Sequence, residues 1–198
     1  MKNKIPFRWS VFIISSVGIT FFILLILVST LTVQGFTVVK PPLLLPQNTA
    51  VGMPLRFEIP SLNINSTIED VGLTSTGAMD VPNGPDATAW LDIGPRPGAI
   101  GTAVMDGHSG WKDNIPAVFD NLHKLKVGDK IYILDDKGNT ITFVVRKFIN
   151  YTPNENVSAV FGSTDGLAHL NLITCSGTWS VAKQTHSTRL VVFTDRIY

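Results

Sequence analysis

One uncharged stretch near the N-terminus limits the possible folds of this chain more than any other feature. From Trp9 to Val39 the sequence contains no Asp, Glu, Lys or Arg, and most of Ser10 to Val33 is Phe, Ile, Leu or Val. About 20 mainly apolar residues, each rising ~1.5 Å, cross the ~30 Å hydrocarbon core of a bilayer as a helix. We therefore predict a transmembrane helix over residues 10–36.

The charges that flank this stretch predict its orientation. Three basic residues precede it: Lys2, Lys4 and Arg8. Only Lys40 lies close beyond it, and the more basic flank of a membrane helix stays in the cytoplasm. Residues 1–9 are therefore predicted to be cytoplasmic, with the C-terminal domain outside the cell membrane on a single-pass anchor. A cleaved signal peptide is the alternative, but its apolar region is shorter, ~7–15 residues, and its A-x-A-like cleavage site is poorly matched here.

The rest of the chain has the size and charge of one ordinary domain. Three prolines, with few helix-forming residues around them, indicate an extended linker over residues 37–53. Residues 54–198 suffice for one hydrophobic core but not for two large domains. Removing the four bases of the first 40 residues from the 16 Lys and Arg leaves 12 against 15 Asp and Glu, a net charge of −3. We therefore predict no nucleic-acid partner.

Short apolar runs rich in Val, Ile, Phe and Thr dominate this domain and predict strands. Seven strands are predicted: Leu55–Ile59, Asn63–Ile68, Gly101–Asp106, Lys130–Leu134, Thr140–Asn150, Ala168–Thr174 and Arg189–Arg196. The turn-forming residues 135–139 predict a hairpin. Apolar residues at helical spacing predict one short helix over Ala117–Leu125. Many short strands with little helix indicate a closed or sandwiched β architecture.

Three side chains with catalytic chemistry lie where predicted strands begin or end. Cys175, the only cysteine, follows one strand, His108 follows another, and Arg189 opens the last. A thiolate attacks a carbonyl, and an imidazole stabilises it and then protonates the departing amine. A guanidinium offers a rigid fork of donors to the developing oxyanion. Residue types alone leave open that Cys175 is simply buried and inert.

An ordered set of motifs along the domain resembles the sortase family. The motifs are Gly107-His108, Val118-Phe119-x-x-Leu122, Leu125-x-x-Gly128-Asp129, Leu172-Ile173-Thr174-Cys175 and Arg189-Leu190-Val191-Val192. The resemblance extends from about Leu55 to the C-terminus. It implies a mainly β fold, an eight-stranded β-barrel with short helices, preceded by an N-terminal transmembrane helix. Asn171 stands where the family often has threonine.

The resemblance assigns roles to the candidate residues. It implies Cys175 as the nucleophile, His108 as general acid and later base, and Arg189 as the clamp on the substrate or transition state. Three further residues are predicted to bind substrate: Thr174, Trp111 and Trp179. The implied reaction cleaves an LPxTG-like sorting signal of surface proteins through a thioester and passes the acyl group to a cell-wall amine of the lipid II or peptidoglycan type. No cofactor is predicted.

The loop that precedes the predicted strand at Ala168 bears on subclass and on metal binding. This loop is short, and the linker lacks an Asp-Pro-aromatic lid motif, so the sequence most resembles class F or class E sortases. Glu155, Asn156 and Asp165 lie in the loop without an ordered ligand pattern. We interpret them as solvated loop residues and not as a calcium site.

Two other functions compete with this interpretation. A cell-wall L,D-transpeptidase also uses Cys and His on a β scaffold, but its Ser-His-Gly-Cys type motif is missing here. A non-enzymatic, membrane-tethered β-domain that binds a wall polymer or partner protein would place His108 and Arg189 far from the sulfur of Cys175.

Other polar and aromatic residues have simpler interpretations. Asp106 lies on the same strand face as His108 and either orients that ring or is hydrated at the strand end. Trp90 is expected in the core. The other histidines are interpreted as surface or core residues, with His186 a candidate for a role at the barrel rim: His123, His169 and His186.

Overall fold

The structure, a computed structural model, describes residues 51–182 and 184–198. Eight strands form a closed barrel in the order β1-β2-β3-β4-β7-β8-β6-β5. They are β1 (Pro54–Ile59), β2 (Ile64–Val71), β3 (Thr88–Leu91), β4 (Gly101–Asp106), β5 (Lys130–Asp135), β6 (Thr140–Tyr151), β7 (Ala168–Ser180) and β8 (Thr185–Ile197). One short helix, α1 (Ser158–Phe161), precedes β7. The predicted eight-stranded, mainly β barrel is confirmed.

The predicted N-terminal elements fall outside this part of the chain. The cytoplasmic segment 1–9, the transmembrane helix over 10–36 and most of the linker over 37–53 lie outside the described residues. Among the residues that are described, no helix has the length and apolar character needed to span a membrane.

All seven predicted strands are present, and β7 and β8 extend further than predicted towards their shared hairpin. The sequence prediction missed β3, whose four residues Thr88–Leu91 are all buried. A strand that is buried on both faces shows no alternation of apolar and polar residues, so the period-2 signal is lost.

The predicted helix over Ala117–Leu125 is wrong. This segment is a series of tight turns, with a single 3-10 turn at Leu122–Lys124. Leu122 N–H donates to the Phe119 carbonyl and Leu125 N–H donates to the Leu122 carbonyl, which are bonds to the third preceding residue. Such turns also bring every third side chain to one side, so the apolar spacing matched a helix.

The main core fills the barrel. Inward-facing side chains on alternate strand positions are almost fully buried: Phe57, Ile59, Met105, Ile131, Ile133, Phe143, Leu170, Leu172 and Val192. Trp90 joins this core at 3% exposure, as expected, and its indole N–H donates to the Pro95 carbonyl at 3.1 Å. The period-2 pattern of each strand therefore reflects burial of one strand face inside the barrel.

A smaller core lies on the outer face of β7 and β8, beneath α1. Val160 of α1 packs there against Val191 and Phe193 of β8. Asn171 of β7 is 2% exposed, and its Nδ2 donates to the Val160 carbonyl at 2.7 Å. The residue that departs from the usual threonine thus attaches α1 to the barrel wall.

The hairpin turn over residues 135–139 is confirmed. The buried carboxylate of Asp135 accepts hydrogen bonds from the N–H groups of Gly52, Lys137 and Asn139 at 2.8 to 3.0 Å. Burial alone would raise the pKa of Asp135, but these bonds and one from the Asn139 amide outweigh burial and hold the pKa below its ordinary value. The turn thereby fixes the point at which the chain enters the barrel.

His169 and the loop carboxylates have structural partners. His169 is 6% exposed, with its Nδ1 2.8 Å from Asp195 and its Nε2 2.9 Å from Asp165. The Leu167 N–H and His169 lower the pKa of Asp165 to about 2. Glu155 accepts a hydrogen bond from the Thr152 N–H in the same loop, and Asn156 accepts one from the Ser158 N–H at the start of α1. Within residues 51–182 and 184–198, no group of three or more His, Cys, Asp or Glu is arranged to hold a metal ion.

The barrel core predicts a clear contrast between two positions of β1. Phe57 is fully buried, and its ring packs edge to face against that of Phe119 with centroids 5.6 Å apart. Leu55 is 49% exposed. Phe57→Ala should lower the free energy of unfolding by about 3–5 kcal/mol through lost burial and a residual cavity. Leu55→Ala on the same strand should change it by less than about 0.5 kcal/mol. Urea denaturation followed by tryptophan fluorescence measures both, and equal effects would contradict the assignment of the core.

Candidate active site

Strand alternation directs Cys175 to the outside of the barrel. On β7, Leu172 and Thr174 face inward and are buried, so Ile173 and Cys175 face outward. The Thr174 hydroxyl donates to the Gly107 carbonyl at 2.6 Å, which ties the end of β7 to the segment just before His108. The side chain of Thr174 therefore supports the site from within the barrel wall.

The strand register brings the three predicted catalytic residues into one row. β4 and β7 pair in parallel, from Gly101 opposite Ala168 to Asp106 opposite Ile173. The Gly107 N–H donates to the Ile173 carbonyl at 3.2 Å, so the pairing continues beyond the end of β4. Continued by two residues beyond Asp106 and Ile173, the same register places His108 level with Cys175.

The third member of the row comes from β8. Cys175 lies directly opposite Arg189 in the antiparallel pairing of β7 with β8. Imidazole, thiol and guanidinium thus follow one another across three adjacent chain segments, and we call these residues the active-site row. This is the opposite of the separation that a non-enzymatic β-domain with a merely packed cysteine predicts.

All three side chains line one groove of about 960 Å³ on the outside of the barrel. The outer faces of β4, β7 and β8 form its floor. One wall is the connection between β2 and β3, with Leu73, Met79 and Val81, and the other is the segment that contains Val157 and Phe161 of α1 and its preceding loop. The groove is therefore polar at the active-site row and largely apolar along its walls.

His108 is oriented by two contacts. Its Nε2 lies 2.9 Å from the Pro82 carbonyl, and its ring packs against that of Trp111 with centroids 4.6 Å apart. A carbonyl only accepts hydrogen bonds, so Nε2 carries the hydrogen and Nδ1 is the basic nitrogen of the neutral ring. Trp111, predicted as a substrate-binding residue, is in this structure a packing partner of the imidazole.

Arg189 is held by the hairpin between β7 and β8. Its Nη1 donates to the carbonyls of His186 and Thr188 at 3.3 and 3.1 Å, and its Nη2 donates to the Thr185 hydroxyl at 3.1 Å. A guanidinium has five N–H donors in a planar fork. Three hydrogen bonds to its own hairpin therefore orient it while other donors can serve a substrate.

Trp179 lies further out on the same hairpin. Its ring is 52% exposed and contacts the His186 ring edge to face, with centroids 5.2 Å apart. His186 lines the groove, whereas His123 does not. Of this pair only His186 borders the groove, and Trp179, predicted to bind substrate, does not line it.

Burial and nearby charges set the protonation of the thiol. Burial raises the pKa of Cys175 above its ordinary value, the positive charge of Arg189 lowers it, and the carboxylate of Asp106 raises it. Burial also raises the pKa of Asp106 from 3.8 to about 7, against the opposing effects of a Gly107 N–H hydrogen bond and Arg189. At neutral pH the sulfur is therefore mainly the uncharged thiol, and only a minor fraction is thiolate.

Sequence reasoning selected His108, Cys175 and Arg189, which line one groove in the structure, but it did not find all of their surroundings. The Pro82 carbonyl carries no side-chain signal, and Thr185 has no feature that distinguishes it from other surface threonines. The position of Asp106 two residues before His108 did indicate a shared face, but its burial beside Cys175 follows only from the pairing of β4 with β7.

A closed barrel that carries a thiol, an imidazole and a guanidinium in one outer groove is the arrangement expected of a β-barrel cysteine enzyme. A family model described as the Sortase domain matches residues 57–197. The chain belongs to the sortase family, whose members are cysteine transpeptidases. No curated protein matches the chain.

Solved sortase structures share this fold. Sortase C-1 from Actinomyces oris is 26% identical, covers 72% of this chain and 73% of its own, and superposes with a TM-score of 0.58. Streptococcus agalactiae sortase C1 in complex with MTSET is 26% identical over 72% of this chain and 66% of that one, with a TM-score of 0.57. A lid mutant of sortase A from Corynebacterium diphtheriae is 24% identical and covers 77% of this chain and 74% of its own, with a TM-score of 0.58. At this identity the likeness shows a similar fold alone.

The electrostatics of the row predict how Arg189 affects the reactivity of the thiol. Arg189→Met removes the positive charge that lowers the pKa of Cys175, so alkylation by iodoacetamide should shift to higher pH. At pH 8 the rate constant should fall by about threefold or more. Arg56→Met, which removes a cation from β1 outside the groove, should leave the profile unchanged. A profile unaltered by Arg189→Met would contradict the proximity of the two groups.

Proposed function

We propose that this protein is a membrane-anchored sortase that cleaves an LPxTG-like sorting signal through a thioester on Cys175. The acyl group is then transferred to an amine of the lipid II or peptidoglycan type, which attaches the surface protein to the cell wall. The single observation that carries this proposal is the active-site row, because three groups distant in sequence line one groove.

The first half-reaction uses each member of the row. Cys175 Sγ attacks the scissile carbonyl carbon as its proton passes to His108 Nδ1, which is the basic nitrogen because Nε2 donates to Pro82. Arg189 donates hydrogen bonds to the oxyanion of the tetrahedral intermediate. The intermediate collapses when the C–N bond breaks and the imidazolium protonates the departing amine, which leaves the acyl group as a thioester.

The second half-reaction reverses these roles. The acceptor amine attacks the thioester carbon, and neutral His108 takes a proton from the attacking nitrogen. The C–S bond then breaks, the new amide is released and the sulfur regains its proton. Turnover requires only that a minor fraction of the molecules has the reactive protonation state. A predominantly protonated Cys175 is therefore compatible with turnover.

The groove supports a peptide substrate of partly apolar character. Five apolar side chains line it, which suits the Leu and Pro side chains of the expected signal: Leu73, Met79, Val81, Val157 and Phe161. The assignment to class F or class E, the cell-membrane location and the anchor over residues 10–36 belong to this proposal and come from the sequence.

Mass spectrometry of the full chain tests the covalent step. With an LPxTG peptide, the wild type should gain the mass of the acyl fragment on Cys175, and addition of a glycine-based amine should release a ligated product. Cys175→Ala should give neither species while retaining the circular dichroism of the barrel. A peptide with scrambled signal residues is the control, and turnover by Cys175→Ala would disprove the mechanism.

The role of Arg189 has its own test. Arg189→Lys keeps the positive charge but loses the planar fork, so kcat/KM for peptide cleavage should fall by about 10²–10³. The melting temperature should change little, because Arg189 is only half-buried. Kinetics close to those of the wild type would show that Arg189 is structural.

A further inference from the structure

Asp106 lies on the same outer face as the active-site row, two residues before His108 along the chain. The register opposes it to Ile173 on β7, two residues before Cys175. With ~4.8 Å between strands and ~3.3 Å per residue, the Cα atoms of Asp106 and Cys175 are about 8 Å apart. Because β4 alternates, Ala103 and Met105 enter the core while Thr102, Val104 and Asp106 line the groove. Its carboxylate is therefore part of the groove floor beside the sulfur.

Few charged groups share this groove with Asp106. The ionisable side chains that line it come from β4 and its continuation, β6 and the following loop, β7 and β8: Asp106, His108, Tyr151, Glu155, Cys175, His186 and Arg189. Of the two carboxylates, Glu155 is exposed and accepts a hydrogen bond from the Thr152 N–H in its loop. Asp106 is thus the only acidic group on the floor among the described residues.

We propose that Asp106 adds to the effect of burial in holding Cys175 in its uncharged thiol form while the groove is empty, because its carboxylate and the sulfur lie on the same floor of one groove. Two negative charges in a part-buried groove repel, and water screens them less than on an open surface. Arg189 on the other side of the sulfur acts in the opposite direction. The ionisation of the thiol therefore depends first on burial, which favours the uncharged form, and then on the opposing charges of Arg189 and Asp106.

The electrostatics of the site agree with this arrangement. Asp106 raises the pKa of Cys175 and Arg189 lowers it. Arg189 also lowers the pKa of Asp106. A thiol that stays protonated is less nucleophilic and less readily oxidised than a thiolate. Asp106 thus restrains the sulfur when no substrate is bound. This role rests on the proposed use of Cys175 as nucleophile, but its measurement needs no sorting signal.

The pH dependence of Cys175 alkylation tests the role of Asp106. In the full chain, Asp106→Asn removes the negative charge, so the midpoint of the iodoacetamide profile should move to lower pH. At pH 7.5 the rate constant should rise by about three- to tenfold. Asp106→Ser, smaller and also neutral, should behave in the same way, and Asp106→Glu should restore the profile towards that of the wild type.

Asp70→Asn is the matched control, because Asp70 is exposed on β2 and does not line the groove. It makes the same change of charge and should leave the midpoint unchanged. A merely structural role for Asp106 would raise the plateau rate at high pH through increased exposure of the sulfur without moving the midpoint, and that outcome would overturn the proposal. An unchanged or raised midpoint in both neutral variants would also overturn it, whether or not the protein transfers peptides.

Discussion

The parallel pairing of β4 with β7 is the interaction on which the site depends. It joins segments far apart in sequence, and its register, extended beyond the last pair of Asp106 with Ile173, leads to His108 level with Cys175. Two local contacts extend the pairing beyond the last residue of β4: the Gly107 N–H to Ile173 and the Thr174 hydroxyl to Gly107. A Cβ at Gly107 would lie 2.5 Å from the Phe119 ring, so only glycine permits this close approach.

The same strands serve the barrel core and the groove because strand alternation divides their side chains between two faces. Leu172 and Val192 fill the interior, whereas Cys175 and Arg189 face the groove from the same two strands. A rigid, close-packed interior fixes the positions of the outer side chains. Asn171 donates a hydrogen bond to Val160 of α1 and so holds α1 against the outer face. Stability and site geometry therefore come from one set of strands.

The site balances charges around a neutral sulfur. Arg189 and Asp106 act on Cys175 from β8 and β4 with opposite signs, and burial favours the uncharged thiol. The proposed thioester mechanism needs a reactive sulfur only when the substrate is in place, and a largely protonated Cys175 is consistent with this requirement. The imidazole is held in one tautomer by Pro82, so its basic nitrogen is defined before substrate binds.

The sequence alone determined the local features of this protein. The alternation of apolar residues marked seven strands, the 135–139 turn was recognisable from its residue types, and the motifs around His108, Cys175 and Arg189 identified the family. Tertiary structure decided what depends on contacts between distant residues. The fully buried β3 shows no alternation of apolar and polar residues. The turns over Ala117–Leu125 place apolar residues at a spacing that also fits a helix. Register across β4, β7 and β8 is set by the packing of the whole barrel, so only the folded chain brings Asp106 and the Pro82 carbonyl to the active-site row.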